Sequence, residues 1–210
     1  MKSKALYKEG KATLLIVTIF AIILFLIDPI LSLIGVGLII FVLYFFRDPN
    51  RKITDEEKTV LSPADGIITN IYESNENKFI KGDCIYISIF MSPLDVHINR
   101  SPIDGEVNFV EYKKGKFMTA TKLESHEVNE KNYIGISNGA IKVLVVQIAG
   151  IMARRIVDWS EINQNVKKGD KIGMIKFSSG TQIIMPKEVK LNVKKGDKVI
   201  SGITIIGRYN

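Results

Sequence analysis

Cysteine and histidine are almost missing from this chain. One cysteine, Cys84, stands among 210 residues, which excludes an internal disulfide and any cysteine-built metal cluster. Cys84 lies in the apolar run Cys84-Ile85-Tyr86-Ile87-Ser88-Ile89-Phe90, where a small buried side chain is the expected role. The two histidines are His97 and His126, so any histidine chemistry must use one of them. They do not form a two-histidine spacing for zinc, no cysteine or carboxylate completes one, and no metal is expected. His126 sits between glutamates in the polar stretch 122–132 and reads as solvated. Neither standard glycine-rich phosphate loop is present, and the G-x-S-x-G nucleophile elbow is absent. No interleaving of basic and aromatic residues marks an RNA-binding surface, so no nucleic-acid partner is expected.

Charge is missing from one long stretch. Between Ala12 and Phe46 the one charged residue is Asp28. The run is too long for one membrane span, which needs ~20 residues, and just long enough for two short ones. Asp28-Pro29 divides it, because proline disfavours helix at the residue before it. The expectation is a membrane helical hairpin over 12–46, from Ala12 to Ile27 and from Ile30 to Phe46, either spanning or re-entrant. Lys2, Lys4, Lys8 and Lys11 precede it, and Arg47, Arg51 and Lys52 follow. Basic residues at both ends place both ends on the cytoplasmic side of the cell membrane. A cleaved signal peptide fits poorly, since the apolar run is too long and no small-residue cleavage site follows. The net charge of +7 suits an anionic membrane surface.

What is present after this stretch is β-like. Residues 1–11 form a basic N-terminus, 47–59 a polar linker, and 60–210 a domain of short apolar runs between Gly, Asp, Asn and Lys. The runs Gly66–Ile71, Cys84–Phe90, Gly105–Tyr112, Ala140–Ile148, Lys171–Phe177 and Val199–Arg208 read as strands. The segment 150–157 reads as a short helix or an exposed turn carrying Arg154 and Arg155. Asn165-Val166-Lys167-Lys168-Gly169-Asp170-Lys171-Ile172 recurs 27 residues later as Asn192-Val193-Lys194-Lys195-Gly196-Asp197-Lys198-Val199, with a fainter third copy at Lys81-Gly82-Asp83. These are turn sequences, with glycine supplying positive φ and aspartate capping the turn, rather than ligand sites. Repeated hairpins of this kind suggest a flattened β sandwich similar to lipoyl and biotinyl domains. The fold class expected is mostly β, preceded by the membrane hairpin.

Three clusters hold residues able to do chemistry. Leu61-Ser62-Pro63-Ala64-Asp65-Gly66 puts Asp65 at the mouth of a strand, where Asp-Gly alone reads as a turn. Met91 to Pro102 contains Asp95, His97, Asn99 and Arg100 between two prolines that restrict its backbone. Phe177-Ser178-Ser179-Gly180 lies between two strand-like runs, and by itself reads as a tight turn. Asp65, His97 and Ser179 on three separate segments also fit a serine hydrolase.

Read together, these pieces resemble the phosphatidylserine decarboxylase proenzyme family, in the short form that includes archaetidylserine decarboxylases. The resemblance rests on Phe45-Phe46-Arg47-Asp48-Pro49, Ser62-Pro63-Ala64-Asp65-Gly66, Met91 to Pro102, Gln147-Ile148-Ala149-Gly150, Ala153-Arg154-Arg155-Ile156-Val157, and Gly169 to Phe177. It implies a pyruvoyl cofactor made by self-cleavage. In the family a Gly-Ser pair follows the phenylalanine and the bond before the serine breaks; here the pair is Ser178-Ser179. Ser179 would attack the carbonyl of residue 178, and the resulting ester would eliminate and hydrolyse to a pyruvoyl group that binds the substrate amine as a Schiff base. His97 would act as base, with Asp65 orienting it. Cleavage at 178/179 would leave a β chain, 1–178, and an α chain, 179–210, held together by strands of one sheet on either side of the break. The family's longer form has a second histidine where Arg100 stands, so Arg100 is a candidate for holding the substrate phosphate or carboxylate. The substrate implied is an anionic serine phospholipid in the membrane, decarboxylated to the ethanolamine lipid. The sequence leaves open an ester- or ether-linked lipid and whether the chain forms a homo-oligomer. A membrane-anchored lipoyl-like adaptor fits the hairpin and the repeats but leaves Asp65, His97 and Ser179 without a task.

Overall fold

The computed structural model describes residues 9–116, 128–150, 155–176 and 179–210. Ser178, Phe177, His126 and the pair Ala153-Arg154 lie outside the described residues. The chain divides into two compact units, Met1–Asn50 and Arg51–Asn210.

The first unit is a helix pair, α1 (Lys11–Ile27) and α2 (Ser32–Phe45). The turn between them is closed by its own side chains. The Asp28 carboxylate accepts the Ile30 amide at 2.6 Å, and the Ser32 hydroxyl donates to the Pro29 carbonyl at 2.6 Å. The helices touch where a Cβ at Gly35 would lie 2.4 Å from the Ala21 Cβ, an approach that glycine alone admits. Most other apolar side chains are exposed, among them Leu15, Phe25, Leu26, Ile30 and Leu33. With 17 and 14 residues, neither described helix is long and apolar enough to cross a membrane by itself.

The second unit is built from strands. They are β1 (Thr59–Leu61), β2 (Gly66–Glu76), β3 (Gly82–Met91), β4 (Ile98–Arg100), β5 (Gly105–Lys113), β6 (Lys131–Ser137), β7 (Lys142–Ala149), β8 (Arg155–Asp158), β9 (Asn165–Val166), β10 (Lys171–Lys176), β11 (Ser179–Pro186), β12 (Lys190–Leu191), β13 (Lys198–Val199) and β14 (Ile205–Arg208). They form an eight-stranded sheet in the order β13-β2-β3-β11-β7-β6-β5-β9, and two three-stranded sheets, β1-β14-β12 and β4-β10-β8. All pairings within the sheets are antiparallel. The fold is therefore mostly β, and the two named helices are the N-terminal pair.

Three details differ from the reading of the sequence. Residues 155–158 form strand β8 rather than a helix or turn, because Arg155 to Asp158 pair with Lys176 to Gly173. The run Val199–Arg208 is two strands with a turn between them. β10 and β11 do not share a sheet: β10 lies in the small sheet between β4 and β8, and β11 lies in the large sheet between β3 and β7.

Alternation decides which side chains face the core. Ile85, Ile87, Ile89 and Met91 of β3, Ile183 and Met185 of β11, Val143, Val145 and Ala149 of β7, and Ile134 and Ile136 of β6 share one buried cluster. Residues of opposite parity on β3, β7 and β11, Cys84, Leu144, Val146, Ile148 and Ile184, pack with Phe79 on the other face. Burial pushes the Cys84 thiol up to about 11. Phe79 is held by Glu76, whose carboxylate accepts the amides of Lys78, Phe79 and Ile80 at 2.6, 2.9 and 2.6 Å. Burial raises the Glu76 pKa, but these amide bonds outweigh it and the net shift is downward.

The repeated turns take the geometry their chemistry suggests. Gly169 and Gly196 have φ of +83° and +94°. Asp170 and Asp197 each accept the amide three residues earlier, from Lys167 at 2.8 Å and Lys194 at 2.9 Å. The third copy differs, since Lys81 rather than Gly82 has the positive φ, at +61°.

Candidate active site

Ser179 opens β11 and is fully buried. Its backbone lies between Met91 of β3 and Ala149 of β7. Its hydroxyl reaches the Met91 thioether sulfur at 3.5 Å, a weak acceptor. Thr181, two residues on and on the same face, reaches the same sulfur at 3.2 Å.

His97 is also fully buried. Its carbonyl accepts the Ile175 amide at 3.2 Å, so the histidine stands beside the end of β10. Residues 92–97 thus form one loop that starts at the partner strand of Ser179 and ends at the partner of Ile175. The loop is tied by its own bonds: the Ser92 amide donates to the Asp95 carboxylate, 2.8 Å, and the Asp95 amide to the Ser92 carbonyl, 2.8 Å. Nδ1 of His97 lies 3.0 Å from the Asp95 carbonyl oxygen. A carbonyl accepts only, so Nδ1 carries the proton and Nε2 is the basic nitrogen.

Asp65 is held elsewhere. Arg51 grips it with two parallel bonds, Nη1 to Oδ1 and Nη2 to Oδ2, both 2.6 Å. The Ser201 amide donates to Oδ1 at 2.9 Å, and Arg51 also donates to the Ser201 carbonyl at 2.8 Å. The orienting role expected for Asp65 toward His97 is not among these contacts. A guanidinium offers a carboxylate two charge-assisted bonds at once, which an imidazole cannot match. A contact the structure gives the His97 ring is the Asp95 carbonyl.

Arg100 is buried, and its Nη1 donates to the Gly169 carbonyl at 2.9 Å. That bond ties β4 to the turn before β10.

Of the other polar residues near Ser179, Asn99 belongs to the second cluster, whereas Thr181, Gln147, Asn132 and Asp158 were not singled out as chemical from the sequence. Asn99 Nδ2 donates to Thr181 Oγ1 at 2.9 Å, and Gln147 Nε2 to Asn99 Oδ1 at 2.9 Å. Asn132 Nδ2 donates to Gln147 Oε1 at 2.9 Å and to Asp158 Oδ2 at 3.0 Å. A signal for them exists: Gln147 and Thr181 fall on the inward parity of otherwise apolar strands. An unsatisfied amide buried there would cost roughly 1–3 kcal/mol, so such residues occur with partners.

The family model for phosphatidylserine decarboxylase matches residues 38–207. A phosphatidylserine decarboxylase proenzyme of Carboxydothermus hydrogenoformans is 47 % identical over 204 residues, covering 97 % of this chain and 96 % of its own. One from Symbiobacterium thermophilum is 40 % identical over 209 residues, covering 99 % and 97 %, and one from Chlorobium phaeobacteroides is 44 % identical over 202 residues, covering 95 % of each. These relatives are decarboxylases made as proenzymes. This chain belongs to the phosphatidylserine decarboxylase family.

Proposed function

We propose that the protein is a pyruvoyl-dependent decarboxylase that converts phosphatidylserine to phosphatidylethanolamine and carbon dioxide, after cutting its own chain between Ser178 and Ser179. The observation that carries this is the near full-length identity to decarboxylase proenzymes, joined to the burial of Ser179 at the start of β11.

In this reading the Ser179 hydroxyl attacks the carbonyl carbon of residue 178. The amide becomes an ester, and the Ser179 nitrogen becomes an amine. Loss of the Ser179 Cα proton then breaks the Cβ–O bond, releasing residue 178 as a carboxylate. The enamine left behind tautomerises, and water replaces its nitrogen, which leaves as ammonia. His97 takes the serine proton on Nε2, the nitrogen that the Asp95 carbonyl leaves basic. Asp65 anchors Arg51 and the Ser201 segment. The product group keeps the carbon skeleton of Ser179, so it fits the space that the serine side chain occupies. A pyruvoyl group supplies a conjugated carbonyl that takes up the electron pair released as carbon dioxide leaves. In this reading His97 also returns a proton to the substrate carbon.

The same reading places the helix pair in the cell membrane with the β unit on the cytoplasmic face. Its support is the outward-facing apolar surface of α1 and α2, which water would not favour. Helices of this length rise ~21–26 Å at ~1.5 Å per residue, short of the ~30 Å hydrocarbon core, so the pair enters as a re-entrant hairpin. The domain division 1–11, 12–46, 47–59 and 60–210, and the sandwich of lipoyl type, belong to this proposal; the matched Lys-Gly-Asp turns support the latter.

The test is expression of the full chain in a lipid-producing host, followed by intact-mass analysis. Two fragments, the smaller beginning with a blocked residue at 179, are expected, with loss of serine lipid and gain of ethanolamine lipid. A stable uncut chain overturns the reading, and one that reacts with a serine-directed phosphonate at Ser179 turns it to the hydrolase.

A further inference from the structure

The polar residues beside Ser179 form two facing rows. In the large sheet Asn132 pairs with Gln147, and Gln147 with Thr181, so the three lie side by side on β6, β7 and β11. In the small sheet Asp158 pairs with Gly173, and Gly173 with Asn99, on β8, β10 and β4. Gln147 lies against the gap at Gly173: a Cβ there would be 2.7 Å from Nε2 and 3.2 Å from Oε1. Four hydrogen bonds stitch the rows, Asp158–Asn132, Asn132–Gln147, Gln147–Asn99 and Asn99–Thr181.

The bonds have one direction. An ionised carboxylate only accepts. Asp158 already accepts the amide and hydroxyl of Ser160, and it draws the Asn132 nitrogen toward it. The same nitrogen donates to Gln147 Oε1, which turns the Gln147 nitrogen toward Asn99. Asn99 then presents its nitrogen to Thr181 Oγ1, with a longer contact of 3.4 Å to the Pro63 carbonyl. The Thr181 oxygen is thereby an acceptor, and its own proton goes to the Met91 sulfur. Reversing any one amide sets oxygen against oxygen somewhere along the chain.

We infer that Asp158, acting through this amide relay, fixes the direction of the Thr181 hydroxyl, and that Thr181 is a positioning residue for the self-cleavage at Ser179. This rests on the proposed function. Thr181 engages Met91 at the shorter distance, so Ser179 is left with the longer, weaker contact to the same sulfur, and its proton remains available for transfer. Without the relay Thr181 can turn away, and the sulfur is left to Ser179.

The test uses the full chain and reads the cut fraction by intact mass against time. Asp158→Asn is isosteric, removes the charge and leaves one acceptor oxygen where Ser160 and Asn132 use two. With Ser160 holding that oxygen by two bonds, an NH2 group faces Asn132. Cleavage should slow by ~10- to 100-fold, the size expected when a buried donor loses its acceptor, while near-ultraviolet circular dichroism stays native. Thr181→Val should slow it similarly. The double variant should cut no more slowly than Thr181→Val alone, because Asp158 acts through Thr181. Unchanged cleavage in Asp158→Asn, or effects that multiply in the double variant, overturns the inference. A second arm does not depend on cleavage. In Ser179→Ala the side-chain amide protons of Asn99 and Gln147 should exchange slowly with deuterated solvent, and adding Asp158→Asn should speed their exchange at least about ten-fold. Equal exchange sinks the relay. A wild-type chain that never cuts sinks the proenzyme reading instead, and this arm still decides the relay.

Discussion

β10 and β11 are joined by two residues, 177 and 178, yet they are held in different ways. β10 is the middle strand of a three-stranded sheet, short of neighbours beyond β4 and β8. β11 lies deep in the eight-stranded sheet, paired over its whole length with β3. Each strand is anchored by its own sheet, so a break between them severs no hairpin ladder. In the proposed cut chain the two fragments would be joined through the eight-stranded sheet and not through a β10–β11 pairing. Residues 179–210 are held by β11 between β3 and β7, by β13 on β2, by β14 on β1, and by the Arg51–Asp65–Ser201 clamp.

This contrast can be broken at several points. Ser179→Ala should have the largest effect, giving no fragments on a denaturing gel and no lipid product, with the strands unchanged by circular dichroism. Arg51→Met should come next. It leaves the Asp65 carboxylate, 13 % exposed, without its cation and should cost about 3 kcal/mol in denaturant unfolding. If β11 is anchored by its sheet alone, the cut fragment should still co-purify. Gly173→Ala attacks the β10 side, where the new Cβ meets the Val157 carbonyl oxygen at 2.6 Å. Overpacking there should cost about 1–3 kcal/mol and slow cleavage, since β10 leads into the break.

The two copied turns sharpen the comparison with a smaller effect. At Gly169, before β10, a Cβ would meet Ile53 at 2.6 Å, whereas at Gly196 it meets nothing within 4 Å. Gly196→Ala should cost about 1 kcal/mol for its left-handed backbone, and Gly169→Ala measurably more in the same unfolding assay. The smallest effect is alkaline. Burial raises Cys84 from 9.0 to about 11, and burial raises Tyr86 from 10.0 to about 12. A pKa raised by folding means the unfolded chain loses its proton first. Stability should therefore fall as pH rises from about 9 to 12. Cys84 pairs with Pro186 at the far end of β11, so Cys84→Ser should flatten the lower part of that fall and leave cleavage unaltered.

Much of this was legible from local chemistry. The helix pair follows from an apolar run with one charge, and its break from Asp28-Pro29. The turns at Gly169 and Gly196 follow from Lys-Gly-Asp, because positive φ and a capping carboxylate are needs of a few adjacent residues. The buried face of Cys84 follows from strand alternation. β8 was missed because Arg155 to Asp158 is short and its pairing with β10 is not a property of its own residues. The run 199–208 was read as one strand because Ile200 and Ile203 are apolar although they lie in or beside a turn. The partners of Asp65 were missed for a similar reason: Arg51 precedes it in a linker, and Ser201 lies far along the chain.

The sequence by itself determined the family motifs, the mostly β class, the placement of one buried cysteine, and the identity of Ser179 and His97 as candidates. These depend on composition, period and short motifs, which act within a few residues. Tertiary structure alone decided that β10 and β11 belong to separate sheets, that Arg51 takes Asp65, that Arg100 reaches the Gly169 carbonyl, and that Asp158 reaches Thr181 through three amides. Those outcomes turn on which strands become neighbours. Cross-strand contacts join residues far apart in sequence, and their hydrogen-bond directions exist only once both rows are in place.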